Sequence, residues 1–394
     1  MDEPKRLDYV VVGGGLIGLT AALRLHDLGW TGIVLEQQSK LSESRSQLAP
    51  VRALTEISPR VLALNTATQA SLALAGLPLE SLQTLGSPFR GMEVWDRELS
   101  GALNFDAQGW IVENHQLEGA LLALAESKGI QIRKANTLRD SIIDDQRVWL
   151  DCGQGVQFEA SLLIGADGAQ SRVREILGVP TLNWAYHQRA VVAVVHSEKP
   201  HQGVTRQWFT GSGPLALLPL ADPHGLVLIW SSVEGQALLE VSGSELESRL
   251  VRETDQLMGG LKLVSNRQSF PLQQQHAMRY VKGRAVLLGD AAHTIHPLAG
   301  QGANLGFADV AELVDCLVQM SLDPSATIQG ALSQFERRRA GQNILMTALT
   351  DGLSRLFTDP KPAWLRVARS WGMRLLDREA QIKRLLTETA AGRW

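Results

Sequence analysis

"DYVVVGGGLIGLTAAL", residues 8–23, decides how this chain starts to fold. Residues 8–12 are a short β-branched run that stops at Gly13, and Leu16, Leu19, Ala22, Leu23 and Leu25 then recur near helical spacing. The stretch reads as strand, turn, helix. Gly13, Gly15 and Gly18 fill a G-x-G-x-x-G template. The first allows a tight turn, the second lets a pyrophosphate approach the backbone, and the third lets helix and strand pack closely. The helix N-terminus then faces the phosphates with its unpaired N–H groups and positive dipole end. A second strand over residues 33–35 ends in Glu36, where an acidic side chain reaches an adenosine ribose. A carboxylate there accepts from both ribose hydroxyls and repels a 2′-phosphate, which predicts FAD or NAD rather than NADP. A solvated strand-end residue is the plain alternative.

The 394 residues allow more than one domain, or one core with a large insertion. With 44% hydrophobic residues and a formal charge of −3, the chain has the balance of an ordinary soluble globular protein and lacks the cationic excess of a nucleic-acid binder. No nucleic-acid partner is expected. Cys152 and Cys316 are too few for a disulfide framework or a thiolate metal site, so they read as packing residues in a reducing cytoplasm. The charged start followed by apolar residues imitates a signal peptide, but three successive glycines interrupt it. No later run reaches the roughly 18 uninterrupted apolar residues of a membrane span.

Two further glycine-bearing stretches choose between FAD and NAD. An NAD dehydrogenase would continue with more βα units and a catalytic domain. This chain instead shows "SLLIGADGAQSRVRE", residues 161–175, an apolar strand running into Gly165, Asp167 and Gly168 and then a basic helix start. Far downstream "AVLLGDAAHTIHPLAGQGANLG", residues 285–306, follows a buried strand with Asp290, His293 and His296 at three-residue spacing. That spacing tempts a metal reading. It fits no metal-ligand rule and has no Cys or Glu nearby, so no metal site is expected; His293 reads equally as a helix-cap or core histidine.

Together, G-x-G-x-x-G, G-A-D-G and G-D-A-A-H resemble the class A FAD-dependent aromatic monooxygenases of the para-hydroxybenzoate hydroxylase fold. Within that class, "HPLAGQGANLGFADV" (296–310), "VENHQLEGALL" (112–122) and "GPLALLPL" (213–220) resemble the ubiquinone-biosynthesis hydroxylases of the UbiH, UbiF and UbiI type. The likeness covers nearly the whole chain. It implies that Asp290 holds the ribityl chain of FAD. Gly300, Gln301, Gly302, Ala303 and Asn304 then offer backbone N–H groups to the pyrimidine edge of the flavin, where they stabilise negative charge on the reduced ring. Pro297 forms a wall beside the flavin, and His296 is a candidate proton donor or acceptor. Arg60 meets the flavin or its phosphates, with a surface ion pair as the alternative. Asn114 contacts the pyrophosphate, and Asp167 and Gly168 serve FAD and, transiently, the nicotinamide donor. Between Glu36 and Arg60 the chain is longer and more Ser-rich than the family pattern, which predicts an extra surface loop.

The fold expected is α/β: a discontinuous Rossmann-like FAD-binding domain (1–85, 110–178 and 280–345), an antiparallel β-sheet substrate domain (86–109 and 179–279) and a C-terminal helical segment (346–394). Alternating runs at "RAVVAVVHS", "LALLPL" and "GLVLIWSS" mark the sheet, with a helix over 243–258 packed on it. Trp208, Phe209, Leu215 and Leu217 read either as a hydrophobic substrate pocket or as plain core. From Lys361 onward eight Lys or Arg stand against three Asp or Glu, a net +5. This tail either docks on its own domain or gives peripheral contact with the inner membrane or a partner such as another ubiquinone-biosynthesis protein.

The implied activity is hydroxylation of the aromatic ring of a polyprenylated phenol or quinol by O₂ through a flavin C4a-hydroperoxide, in a cavity that excludes water. NADPH or NADH, as a transient electron donor, must reach the flavin from outside, since the sequence shows no second dinucleotide fold. The alternatives are a flavin-dependent isoprenoid reductase and a non-catalytic flavin-binding subunit.

Overall fold

A computed structural model describes residues 5–38, 52–96, 102–153, 155–295 and 301–358. His296, Pro297, Gly300, most of the Ser-rich insertion and the basic tail from Lys361 lie outside these residues. The first sheet is built on parallel strands in the order Ala285–Leu287, Gln157–Gly165, Lys5–Val12, Gly32–Glu36 and Gln131–Lys134. Tyr9, Val10 and Val11 have no exposed surface, as expected of a strand covered on both faces. The helix Leu16–Asp27 packs on this sheet and in turn against the helices Asn114–Ser127 and Gln301–Leu322. A small sheet of Val61–Leu64, Gly109–Glu113 and Gly86–Phe89 lies beside it. It runs across the positions 85/86 and 109/110 at which the sequence divides the domains.

The second sheet centres on the long strand Thr181–Ser197, flanked by Gly225–Ser232 and Gln268–Ala277, with a register shift between Ala185 and Arg189. It is antiparallel except where Val204–Thr210 meets Gly91–Asp96 in parallel. His293–Thr294, at the end of the G-D-A-A-H motif, pairs with Gln268–Ala277, so the chain passes directly from this motif into the second sheet.

Side-chain alternation gives this sheet two apolar faces. On the outer face Trp208, Leu215, Leu217, Leu228 and Trp230 are buried against Leu246 and Leu250 of the helix Gly243–Glu253. On the inner face Val194, Leu220 and Val227 meet Leu54, Ile57 and Val61 of the first domain. Leu215 and Leu217 therefore pack as core under a helix, and the pocket reading is corrected for them: their strand parity points them away from the first domain. Phe209, one residue from Trp208, takes the opposite face and packs with Val94. The helix expected over 243–258 stops at Glu253, because Asp255 and Gln256 adopt positive φ angles of 49° and 56°. The helix Ile328–Thr358 runs straight through position 345, where the sequence places a boundary.

Candidate active site

The first glycine turn is built by contact. At Gly13, φ is +108° and a Cβ would lie 2.3 Å from the Ala166 carbonyl oxygen, so only glycine lets the first and second motifs meet. A Cβ on Gly18 would lie 1.9 Å from the Gly13 carbonyl oxygen, the close helix–strand approach expected of the third glycine. A Cβ on Gly15 would meet nothing. Its open side is the space left for a ligand at the start of the helix Leu16–Asp27, whose first turn has no acidic residue or side-chain cap.

The third motif closes on the other two. The Leu288 N–H donates to the Gly165 carbonyl at 2.9 Å, and the Ala166 N–H to the Val12 carbonyl at 2.8 Å. A Cβ on Gly306 would lie 2.8 Å from Ile17 and 3.2 Å from the Gly289 Cα, which sets residues from the first and third motifs against one another. Arg174, read from the sequence only as part of a basic helix start, is a buried clasp: it donates to the Ala291 carbonyl at 2.8 Å and to the Ala169 carbonyl at 2.7 Å.

Between the first two motifs lies a cavity of about 320 Å³ whose lining includes Gly13, Gly15, Glu36, Glu118, Asp167 and Gly168. Glu36 is buried and accepts from the Gly14 N–H at 2.6 Å and the Gln38 N–H at 2.7 Å. A carboxylate has further lone pairs to offer a ligand. Burial, and then the charge of Glu36, raise the pKa of Glu118 above the usual carboxylate range. Asp167 accepts from the Val173 N–H at 3.1 Å with one oxygen, while its other, buried oxygen has no partner among the described residues. Gly168 takes a φ of +80° and faces open space.

Asp290 lies in the short turn Gly289–Ala291 that follows the strand Ala285–Leu287. Its side chain is solvent-accessible yet ringed by protein. That crowding raises its pKa, with His293 opposing the shift. Gln301 opens the helix Gln301–Leu322, so Gln301, Gly302, Ala303 and Asn304 lie in the first turn, where backbone N–H groups have no partner within the helix. The Asn304 side chain is occupied elsewhere. It donates to the Ala63 carbonyl at 2.8 Å and accepts from Thr68 Oγ1 at 2.7 Å and the Asn65 N–H at 3.2 Å. Arg60 is exposed and lies 5.8 Å from the ring centre of Phe270 on the second sheet. Asn114 opens the helix Asn114–Ser127, its N–H donating to the Arg60 carbonyl at 3.0 Å. His293 is a core histidine, 1% exposed, bonded through Nε2 to Asp309 at 2.6 Å.

A family model described as an FAD binding domain matches residues 6–340. The 3-demethoxyubiquinol 3-hydroxylase of Escherichia coli is 32% identical, over 98% of both chains. The chain belongs to the FAD-dependent hydroxylase family. Ubiquinone hydroxylase UbiL of Rhodospirillum rubrum is 33% identical over 98% of this chain and 90% of its own. The mitochondrial ubiquinone biosynthesis monooxygenase COQ6 of Mus musculus is 33% identical over 95% and 89%. The fold recurs in p-nitrophenol 4-monooxygenase PnpA of Pseudomonas putida, with a TM-score of 0.76 at 20% identity over 97% of each chain. It recurs also in Klebsiella pneumoniae HpxO, complexed with FAD and uric acid, with a TM-score of 0.73 at 18% identity over 98% and 96%.

For an FAD-dependent hydroxylase the cradle has the right chemistry. The open faces of Gly15, Gly168 and Gly302 leave backbone exposed where a side chain would stand, and Asp167, whose buried oxygen has no partner among the described residues, lines the cavity with Glu36. Among the described residues no group of His, Cys, Asp and Glu has the arrangement of a metal site, and no helix is long and apolar enough to cross a membrane.

Proposed function

We propose that this enzyme hydroxylates the aromatic ring of a polyprenylated phenol or quinol in ubiquinone biosynthesis, using O₂. The observation that carries the reading is the convergence of three glycine segments on one cradle in a chain whose near-full-length relatives are ubiquinone hydroxylases. Bound FAD supplies the redox and oxygen-activating chemistry, with NADPH or NADH as the external electron donor.

The chain's own residues bind, orient and exclude water. Gly13, Gly15, Gly18 and the N-terminus of the helix Leu16–Asp27 receive the pyrophosphate, with Asn114 nearby, and Glu36 receives the adenosine ribose. Asp167 and Gly168 complete that end of the cradle. Asp290 holds the ribityl chain, while the first-turn N–H groups of Gln301, Gly302, Ala303 and Asn304, preceded by Gly300, place donors where the flavin accumulates negative charge. Arg60, beside Phe270 of the second sheet, is assigned to the flavin or its phosphates. His296 and Pro297 are assigned to the ring's neighbourhood, as proton carrier and wall. The inner apolar face of Val194, Leu220 and Val227 with Leu54 and Ile57 supplies the low-dielectric surroundings that protect a reactive oxygen species from water. The basic tail from Lys361 is the segment assigned to contact with an anionic membrane surface, from which a greasy substrate is drawn.

The test is turnover of the purified holoenzyme with NADPH or NADH, a short-chain prenylated phenol and ¹⁸O₂. One labelled oxygen on the ring is expected. A product with a saturated prenyl double bond and no label would establish a reductase instead. Flotation with anionic vesicles, compared with protein cut after residue 360, tests the tail; equal flotation removes the membrane role.

A further inference from the structure

Beneath the cofactor loop lies a buried ionic set that the activity described above does not use. Asp309, on the helix Gln301–Leu322, has no exposed surface. One of its oxygens accepts from His293 Nε2 at 2.6 Å and from the Gly289 N–H at 3.0 Å. It therefore grips both ends of the short turn that carries Asp290. Its other oxygen accepts from Arg339 Nε at 2.8 Å and Asn343 Nδ2 at 3.2 Å, both on the helix Ile328–Thr358. Arg339 also donates to the Leu305 carbonyl at 3.2 Å, just inside the helix whose N-terminus opens at Gln301. His293 is thus hydrogen-bonded to one carboxylate, Asp309, and follows another, the exposed Asp290, by three residues along the same short turn.

We propose that His293 is a positioning residue for the flavin site, held by the buried Asp309–Arg339 pair and acting on FAD through Asp290. The proposal rests on the reading that Asp290 faces the cofactor. Its physical content is charge placement. Desolvation pushes the Asp290 carboxyl toward its neutral form, and the His293 ring pulls it back. Burial would raise the Asp309 pKa, but His293 and then Arg339, by charge and by hydrogen bond, outweigh it and hold the carboxyl well below the usual carboxylate range. Also beside the His293 ring, among the described residues, are His276, its register partner on the strand Gln268–Ala277, and Tyr280, with ring centres 5.8 Å apart for Tyr280 and His293. Glu336 is occupied by the Tyr280 and Val281 N–H groups. His293 Nδ1 has no hydrogen-bond partner among the described residues.

The experiment titrates apoprotein with FAD across pH 4.5–8.5, read by flavin fluorescence, for the native chain, His293→Gln, Asp309→Asn and Asp290→Asn. The native protein is expected to lose affinity on the acid side as Asp290 protonates. His293→Gln should move that acid limb up by about one pH unit, equivalent to a tenfold change in FAD affinity within the window. Asp309→Asn, which keeps the shape and removes the charge that orients the ring, should move it in the same direction. Asp290→Asn should abolish the limb. A merely structural role would lower affinity equally at every pH, and that result overturns the proposal. A limb absent from Asp290→Asn but unmoved in His293→Gln overturns the role of His293 alone. A limb that survives Asp290→Asn overturns the placement of Asp290 at the flavin.

Discussion

At the scale of single residues, the glycines of the first motif differ in what they must avoid. Gly18 avoids protein, since its Cβ would lie 1.9 Å from a backbone oxygen. Gly15 avoids only what binds, since its Cβ would meet no protein atom. Gly15→Val should therefore fold, with native far-ultraviolet circular dichroism, and purify colourless; a fully yellow variant would contradict the pyrophosphate placement. His276 carries a second expectation. Burial, and then the neighbouring His293, lower its pKa from the ordinary 6.5 to about 4. Between those values the unfolded chain binds the proton and the folded chain does not, so stability falls as pH drops from about 6.5 to about 4, by at most about 3 kcal/mol. His276→Gln should flatten that slope in urea-unfolding midpoints, whereas any loss through Asp309, whose pKa is depressed, begins only below the ordinary carboxylate range.

At the scale of elements, the sequence showed where strands hand over to helices through glycine, because turn chemistry and periodicity are local. It read residues 300–304 as a run of backbone donors, and the helix beginning at Gln301 supplies such donors as first-turn N–H groups. The Asn304 side chain was not legible in that way. Its partners at 63, 65 and 68 lie far back in the chain, and only the packing of the helix Thr66–Leu74 against Gln301–Leu322 brings them together. Asn304→Leu should leave the half-buried Ala63 carbonyl without this donor and cost about 1–2 kcal/mol in chemical denaturation. Loss of only a few tenths would mean that the clamp is not holding the helix. Asp309 did leave a trace: it shares one helical face with Leu305 and Leu313, where a charge demands a buried partner. The partner itself, Arg339 within "ERRR", could not be picked from its neighbours by sequence.

At the scale of the whole molecule, the cofactor cradle draws on segments near residues 13, 166 and 289 that no single element holds together. A ligand that bridges them stabilises the folded state by its binding free energy. FAD at a hundred times its Kd should add roughly 2.7 kcal/mol to the stability of the apoprotein, seen as a rise in Tm by differential scanning calorimetry. Gly15→Val should show no such rise. Because His293–Thr294 also pairs with the strand Gln268–Ala277, the second sheet should share in this stabilisation and gain hydrogen-exchange protection when FAD is added.

By itself the sequence determined the strand–turn–helix units and the acidic end of the second strand, which are written in residue spacing, and through short motifs that resemble a known family it pointed to FAD and to the two-sheet plan. The tertiary structure alone decided which face of the second sheet Leu215 and Leu217 occupy, because strand alternation gives two faces and only the helix Gly243–Glu253 chooses between them. It also decided that His293 is held by Asp309, which is in turn bonded to Arg339. A buried charge is satisfied by whatever folding brings within about 3 Å of it, and that neighbour has no fixed distance along the chain.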